Sequence, residues 1–472
     1  MKKTLAVALA ALLIAWPAAP APAASRIDFS GYYKSYFLND WNQNRGSSRT
    51  EINDSYFVNR LNLDFGFHPT DEVSVYWALR APANQRWGGS GSSPGNRNGS
   101  TAAETYHLYG TVRGDWGSVS VGRLAESFAY AGLYSLGWTP GGVNDHFTEW
   151  GVFDYALVYD GLRYAKRWDN GAAFVAQFYR MNTAPAGDEQ SNDWLILHPS
   201  YRWDGGGATL SFILQRDHVA SNLGGYTAPN PPTPHTGSPS NAAMKAFYIG
   251  PTLAHSWGDF SVHFEGKVGW GKHYGLSKGY PLFNGAGDRN NGQAFYLDFN
   301  YNYGPGNVML AGWWVSGTGQ DSANGRSLFD MGPDFLPLIV AYDTTAKWSK
   351  GVNGAIKAAN ARSAANRWDG QDAAGDMGKA NNHWALALNG AHSCTDDVTL
   401  TYTLAHLALN EVAEGRNKSI GFEADLGLAV ELLDNLEFRT TFGYLFAGDA
   451  LKFGNESPAD SCAWYNTMTF SF

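Results

Sequence analysis

The run Trp464-Tyr465-Asn466-Thr467-Met468-Thr469-Phe470-Ser471-Phe472 decides how the rest of the chain is read. Taken in steps of two, one face carries Phe472, Phe470, Met468, Asn466 and Trp464. The other carries Ser471, Thr469, Thr467 and Tyr465. A period of two with one dry and one hydroxylated face is a β-strand between two different media. Chain ends usually fray. A terminal strand this strongly patterned therefore needs a partner, and in a cylinder the partner is the first strand.

The opposite end predicts export. Met1-Lys2-Lys3 is a short basic region, Leu5 to Trp16 is apolar, and Ala19-Pro20-Ala21 and Ala21-Pro22-Ala23 offer small-residue cleavage sites. This is the pattern of a secretory signal peptide, expected over residues 1–24. A membrane anchor needs about 20 apolar residues, and Pro17, Pro20 and Pro22 interrupt this one. Without Lys2 and Lys3 the chain has 32 basic against 43 acidic residues, a net of −11, which argues against nucleic acid as a partner. The longest later apolar run, Phe335 to Tyr342, is broken by Pro337, so no helical span is expected. An exported chain with 55 glycines and 15% aromatics but no helical span is either a soluble all-β protein or an outer-membrane barrel.

Alternation recurs along residues 25–472 and separates the two. Leu61, Leu63, Phe65 and Phe67 alternate with Arg60, Asn62, Asp64 and Gly66; Phe295, Leu297, Phe299 and Tyr301 alternate with Tyr296, Asp298 and Asn300. Such runs last about ten residues, the length a tilted strand needs to cross a bilayer. Connections alternate between short turns, such as Gly114-Asp-Trp-Gly117, Trp168-Asp-Asn-Gly171 and Leu433-Asp-Asn435, and long polar segments, such as 81–105, 220–245 and 317–382. Short turns on one side and long loops on the other mark a transmembrane barrel. The spacing predicts an all-β, antiparallel transmembrane barrel of about eighteen strands, sixteen if one weak pair is misread. Both termini then lie on the short-turn, periplasmic side. The expected strands run near 27–38, 56–67, 73–80, 105–113, 118–124, 155–167, 172–180, 193–203, 208–218, 246–256, 260–272, 293–303, 307–316, 383–393, 398–409, 419–432, 436–447 and 463–472.

Three segments carry a resemblance. "YHLYGTVRGDWGSVSVGRL" and "DGLRYAKRWDNGAAFVAQF" resemble strand pairs of general trimeric porins, and "NRLNLDFGF" resembles their second strand, with Arg60 in the basic position. The overall pattern resembles most the homotrimeric porins of sulfate-reducing bacteria. A terminal Phe472 with Phe470 also resembles the C-terminal signal read by the outer-membrane assembly machinery, from which Asn466 departs. The resemblance implies a homotrimer in the outer membrane of a Gram-negative bacterium, without cofactor or metal, passing small hydrophilic solutes and ions. Eighteen strands, where general porins have sixteen, keep a substrate-selective channel open as the alternative. The resemblance also implies a third long loop, about 125–154, folded into the lumen. Its Asp145, Glu149 and Asp154 would face a basic wall.

Parity supplies that wall independently. Inward positions of the early strands carry Lys34, Arg60, Arg80 and Arg163 against Asp28 and Asp64, with Arg113, Arg167 and Arg202 near short turns, where rim anchors are an equal reading. From residue 260 onward the inward charges are chiefly acidic: Glu265, Asp298, Glu423 and Asp425, with Glu431 and Glu437 against Lys267 and Arg439. Strict alternation points Arg123 at lipid, whereas the porin resemblance points it inward; because the strand ends there and a bulge would reset parity, Arg123 is expected to line the pore with the other basic residues.

Two rival classes remain. An enzyme finds no support, since no Gly-x-Ser-x-Gly, His-Glu-x-x-His or phosphate loop occurs. A display or adhesin barrel would suit the long loop at 317–382, but the apolar run Phe335–Tyr342 within it would be exposed to water there and is expected to pack into the barrel mouth or the trimer centre. Cys394 falls at a short turn and Cys462 at the far end of the last strand. Ten tilted residues separate the two levels by about 25 Å, too far for the ~7 Å a disulfide requires.

Overall fold

The computed structural model describes residues 25–45, 48–87, 104–125, 158–182, 191–217, 243–274, 289–316, 338–341, 383–410, 417–451 and 460–472. The expected signal peptide and the expected constriction-loop acids Asp145, Glu149 and Asp154 lie outside the described residues.

Eighteen strands follow one another: β1 (Arg26–Arg45), β2 (Ser48–His68), β3 (Val73–Trp87), β4 (Glu104–Gly114), β5 (Gly117–Ala125), β6 (Val158–Arg167), β7 (Ala172–Asn182), β8 (Ser191–Trp203), β9 (Gly206–Asp217), β10 (Ala243–Trp257), β11 (Phe260–Tyr274), β12 (Arg289–Asn302), β13 (Gly306–Val315), β14 (His383–Ser393), β15 (Val398–Leu409), β16 (Ser419–Leu433), β17 (Leu436–Ala447) and β18 (Ser461–Ser471). Each pairs antiparallel with the next, and β18 pairs with β1, so the sheet closes on itself. β14, β15 and β17 match the sequence expectation at both ends, and most others differ by one to three residues.

The first hairpin differs most. Alternation predicts ends near 38 and 56, whereas β1 runs on to Arg45 and β2 begins at Ser48. Pairing continues through Asn39↔Ser55 and Asp40↔Asp54, with irregularities toward Gln43↔Ile52 and Arg45↔Ser48. Above a membrane neither face needs to be apolar, so alternation fades while backbone pairing persists. Apolar periodicity therefore marks only the spanning part of a strand. The same effect carries β3 past the expected Arg80 to Trp87.

The seam supplies the partner that the terminal strand needs. Tyr32 stands opposite Ser471 and Trp41 opposite Cys462. Beyond the ladder, Gly31 N–H donates to Phe472 O at 2.9 Å and Phe472 N–H donates to Gly31 O at 3.0 Å. Phe472 and Phe470 point outward and stack on each other at 5.8 Å, and Phe472 meets Phe29 at 5.8 Å. A side chain at position 31 would meet Asn62 O at 2.4 Å and the Phe472 ring at 3.0 Å, so glycine is the residue that lets the last strand approach.

Outside, large apolar groups stand on the sheet face away from the lumen. Leu214, Phe247, Leu253, Phe299, Leu310, Leu386, Leu426 and Phe442 are all substantially exposed. Such a surface on a closed barrel suits acyl chains. Aromatic residues bracket it. Near the short turns lie Trp116–Tyr164 (6.4 Å), Tyr201–Trp203 (6.2 Å) and Phe260–Tyr301 (4.6 Å). Toward the long loops lie Phe247–Trp270 (6.2 Å), Phe295–Trp314 (5.9 Å) and Phe422–Phe446 (6.2 Å). Two aromatic girdles around an apolar band are what a membrane barrel presents at its two interfaces. Cys394 and Cys462 are both free thiols, at the levels the strand count gave them.

Gly31→Val should lower the yield of closed barrel, because its contact with Asn62 O is relieved only by spreading β1 from β2, and its contact with the Phe472 ring only by displacing that ring at the β1–β18 seam. Overpacking of this kind costs about 1–3 kcal/mol. The check is heat-modifiable migration on a gel after refolding, in which a wild-type yield from Gly31→Val would contradict the seam geometry.

Candidate functional site

Eighteen strands enclose a lumen too wide for wall side chains alone to fill. What lines it follows from parity. Lys34 is inward on β1, opposite position 60 of β2. Position 80 shares the face of the buried Ala78 on β3, opposite Asn62. The side chains of Arg60 and Arg80 lie outside the described residues. Arg163 stands between Ser120 and Gln177, both buried on the lumen face, and its guanidinium lies 6.0 Å from the Tyr109 ring centre. Arg113 donates to the inward Ser74 Oγ at 2.8 Å.

Nine strands separate β2 from β11 and β3 from β12, half the circumference of an eighteen-strand ring. There the wall is acidic. His263 and Glu265 are inward on β11, and Tyr296 and Asp298 on β12. His263 Nδ1 lies 3.3 Å from Asp298 Oδ2. Lys267 of β11 sits over the Tyr248 ring at 4.9 Å. Basic positions on β1–β3 therefore lie half a circumference from acidic positions on β11 and β12, with Asp64 at inward parity among the first and Lys267 among the second.

Arg123 does not join the basic arc. Pairing runs through Gly122 without a bulge, as Tyr109↔Gly122 and then Leu108↔Arg123. Ser120 and Leu124 are buried, while Val121, Arg123 and the opposing Leu108 are exposed on the outer face. The alternation of the strand outweighs the motif likeness, because Gly122 (φ 134°) absorbs the close approach to Leu108 O without adding a residue.

Glu423 and Asp425 also depart from the expected open pore lining. They are inward on β16 but fully covered by residues 338–341 of the long β13–β14 connection. Val340 N–H and Ala341 N–H each donate to the Glu423 carboxylate at 2.7 Å, one to each oxygen. Ile339 N–H reaches Asp425 Oδ2 at 3.4 Å, and Tyr465 O–H of β18 reaches Ile339 O at 3.4 Å. Leu338, Ile339, Val340 and Ala341 retain at most 2% of their surface. The segment falls inside the apolar run 335–342 and is held within the barrel against β16–β18. The wall makes room for it: a side chain at Gly443 would meet Ile339 Cγ1 at 2.5 Å and Asp425 Oδ1 at 2.3 Å.

The sequence held a signal for this contact that the reading of charges passed over. Inward positions on β13–β18 include Ala311, Trp313, Ala385, Ala387, Ala405, Leu407, Leu445 and Ala463, all buried. A wall that faces water has no use for a run of small and apolar inward residues. Such a run implies chain packed against it.

Near the β16–β17 turn, a cavity of about 300 Å³ opens between Tyr32, Lys34, Glu431, Glu437, Arg439 and Thr469. Arg439 donates to Glu437 Oε2 at 2.6 Å, so this end of the lumen mixes both signs.

No family model matches the chain, and no curated protein does. The fold does have solved likenesses. Pseudomonas aeruginosa OccK9 (OpdG) superposes with a TM-score of 0.52 at 10% identity, over 94% of this chain and 98% of that one. Pseudomonas aeruginosa OpdQ gives 0.51 at 9% identity, over 95% and 99%. A doubly substituted OccD1 (OprD) gives 0.50 at 12% identity, over 94% and 95%. These likenesses establish the outer-membrane type of barrel along nearly the whole chain. They lie with Pseudomonas barrels and leave the narrower resemblance to porins of sulfate-reducing bacteria to the sequence motifs.

Glu423→Ala would strip two buried N–H groups of their acceptor, at about 1–3 kcal/mol each. The expected result is release of residues 338–341 and a larger, noisier single-channel conductance. Gly443→Val should act in the same direction by displacing Ile339. Conductance equal to wild type in both variants would show that the segment does not narrow the conducting path.

Proposed function

We propose that this protein is a porin of the Gram-negative outer membrane that passes small hydrophilic solutes and ions through a water-filled, laterally polarised lumen. The observation that carries the reading is the opposition of charged arcs. Lys34 on β1 and the basic positions of Arg60 and Arg80 on β2 and β3 stand across the ring from Glu265 and Asp298 on β11 and β12, and Arg163 on β6 lies between the two arcs. A low-dielectric wall focuses the field between such arcs. A dipolar solute is oriented as it crosses, and an apolar one gains nothing to offset the ordered water it displaces. Asp145, Glu149 and Asp154 would extend the acidic side from the third loop.

Substrate selectivity is the favoured refinement, because a segment anchored inside the barrel at Glu423 narrows one side of the lumen. A display barrel has less support, since it needs no opposed inward charges. The resemblance to trimeric porins supports a homotrimer, and Arg123 and Asp160 on the outer face of β5 and β6 suit a protein neighbour better than acyl chains. Phe470 and Phe472 fit the signal read by the assembly machinery.

Reconstituted protein should swell liposomes in small sugars. Replacing Arg60 and Arg80 together by Glu should move the reversal potential in a salt gradient toward cation preference. A barrel that conducts nothing would return the reading to display. An unchanged reversal potential in the double variant would remove the basic arc from the mechanism.

A further inference from the structure

We propose that the outer face of β9–β12, at its extracellular end, is a binding site for the phosphate-bearing head groups of the outer-leaflet glycolipid. A single hydrogen-bonding register runs Arg123↔Asp160↔Arg180↔Asp193↔Arg216↔Lys245↔Lys272↔Arg289, one residue from each of eight successive strands. All eight positions share the outward parity. Val121, Leu162, Phe178, Leu195, Leu214, Phe247 and Trp270, two residues away on their strands, are exposed on that face.

The row has two halves of different character. From β5 to β8 the signs alternate, and the compensation is direct: Arg180 Nε and a terminal nitrogen bind the two Asp193 oxygens at 2.7 and 2.8 Å. From β9 to β12 the register holds Arg216, Lys245, Lys272 and Arg289, with no acid among them. That places basic residues at three consecutive pairs of opposed register positions on adjacent strands; the side chains of Lys245, Lys272 and Arg289 lie outside the described residues. Directly opposed residues stand ~5 Å apart, and like charges there are destabilising. The next outward positions toward the membrane are Leu214, Phe247, Trp270 and Asn291, which supply no counter-charge. An anion from outside the sheet would relieve the repulsion.

Height identifies the occupant. A register row in a tilted barrel climbs as it passes around the wall. Arg123 lies six residues from its short turn, whereas Arg289 opens β12, thirteen residues from Asn302. The four basic positions sit at the long-loop ends of their strands, just above the Phe247–Trp270 aromatic pair that marks the membrane interface. At that level the extracellular leaflet presents phosphate groups, and clustered basic residues bind anionic head groups. The proposal rests on the long-loop end being extracellular, and it is independent of what the lumen passes.

The test uses the whole protein in detergent, with bisphosphorylated lipid A as probe and its dephosphorylated form as control, read by native mass spectrometry across a salt series. Wild type should retain the bisphosphorylated lipid, weakening as salt rises, and should discriminate against the control. Converting Arg216, Lys245, Lys272 and Arg289 together to Glu should weaken retention by about six hundredfold or more, from roughly fivefold per basic group lost. Lys245→Gln with Lys272→Gln, a milder change, should lose retention partially. Heat-modifiable migration checks that each variant is folded, and single-channel conductance should stay at the wild-type level. Equal retention of the two lipids, or equal retention by wild type and the folded variants, would overturn the proposal. Loss of subunit association with lipid retention unchanged would overturn it in favour of a second copy of the chain as the occupant.

Discussion

Every backbone N–H and C=O that crosses a bilayer must find its partner within the protein, since hydrocarbon offers none. In this chain that constraint is met by a ring of eighteen ladders, and a ring is complete only where β18 meets β1. The two bonds between Gly31 and Phe472 extend the closure to the final residue. The rest depends on this. Closure fixes which face of each strand looks inward, and a slip of one residue would turn every inward group out. The lumen charges, the outer apolar band and the two aromatic girdles are all consequences of one register.

Register also assigns different work to identical residue types. Arg163 and Arg180 sit on neighbouring strands, β6 and β7. Arg163 is at lumen parity between Ser120 and Gln177, whereas Arg180 is on the outer face in a paired contact with Asp193. The carboxylates divide similarly. Asp298 has a titratable neighbour in His263, whereas Glu423 has both oxygens taken by backbone N–H groups of residues 340 and 341. Net charge and composition are blind to these differences, which arise only once parity is assigned strand by strand.

The spanning part of the fold was legible for that reason. Period-two alternation is imposed by two media, so it is strong wherever a strand separates lipid from lumen, and it located β14, β15 and β17 to the residue. It was silent in the upper reaches of the β1–β2 hairpin, where backbone pairing continues beyond the alternating run. At Arg123 a motif likeness and the alternation disagree, and the alternation is the better guide because nothing in β5 inserts a residue. The candidate site was legible in its charges and not in its filling. Parity placed Glu423 and Asp425 inward, but no local pattern says that residues 338–341, more than eighty positions away, return to cover them. Two clues were available: the apolar run Phe335–Tyr342, which a loop in water would leave exposed and which therefore implies packing at the barrel mouth or at a subunit contact, and a lumen face of small and apolar residues where a wetted wall would be polar.

That clue changes the physical picture of the lumen. A carboxylate facing water attracts mobile cations and is screened by them. A carboxylate closed by two N–H donors keeps its charge away from the conducting path and acts as an anchor instead. With Glu423 and Asp425 held by residues 338–341, the remaining acidic positions of the wall are Glu265 and Asp298, which are themselves buried on the inner face, so the wall is asymmetric along its length as well as across it. One sector is charged, and another is filled by a short apolar turn. A solute that follows this wall meets a field and a constriction at different positions around the ring. An eighteen-strand cylinder built of simple hairpins can discriminate among polar solutes through such an arrangement without a dedicated binding domain.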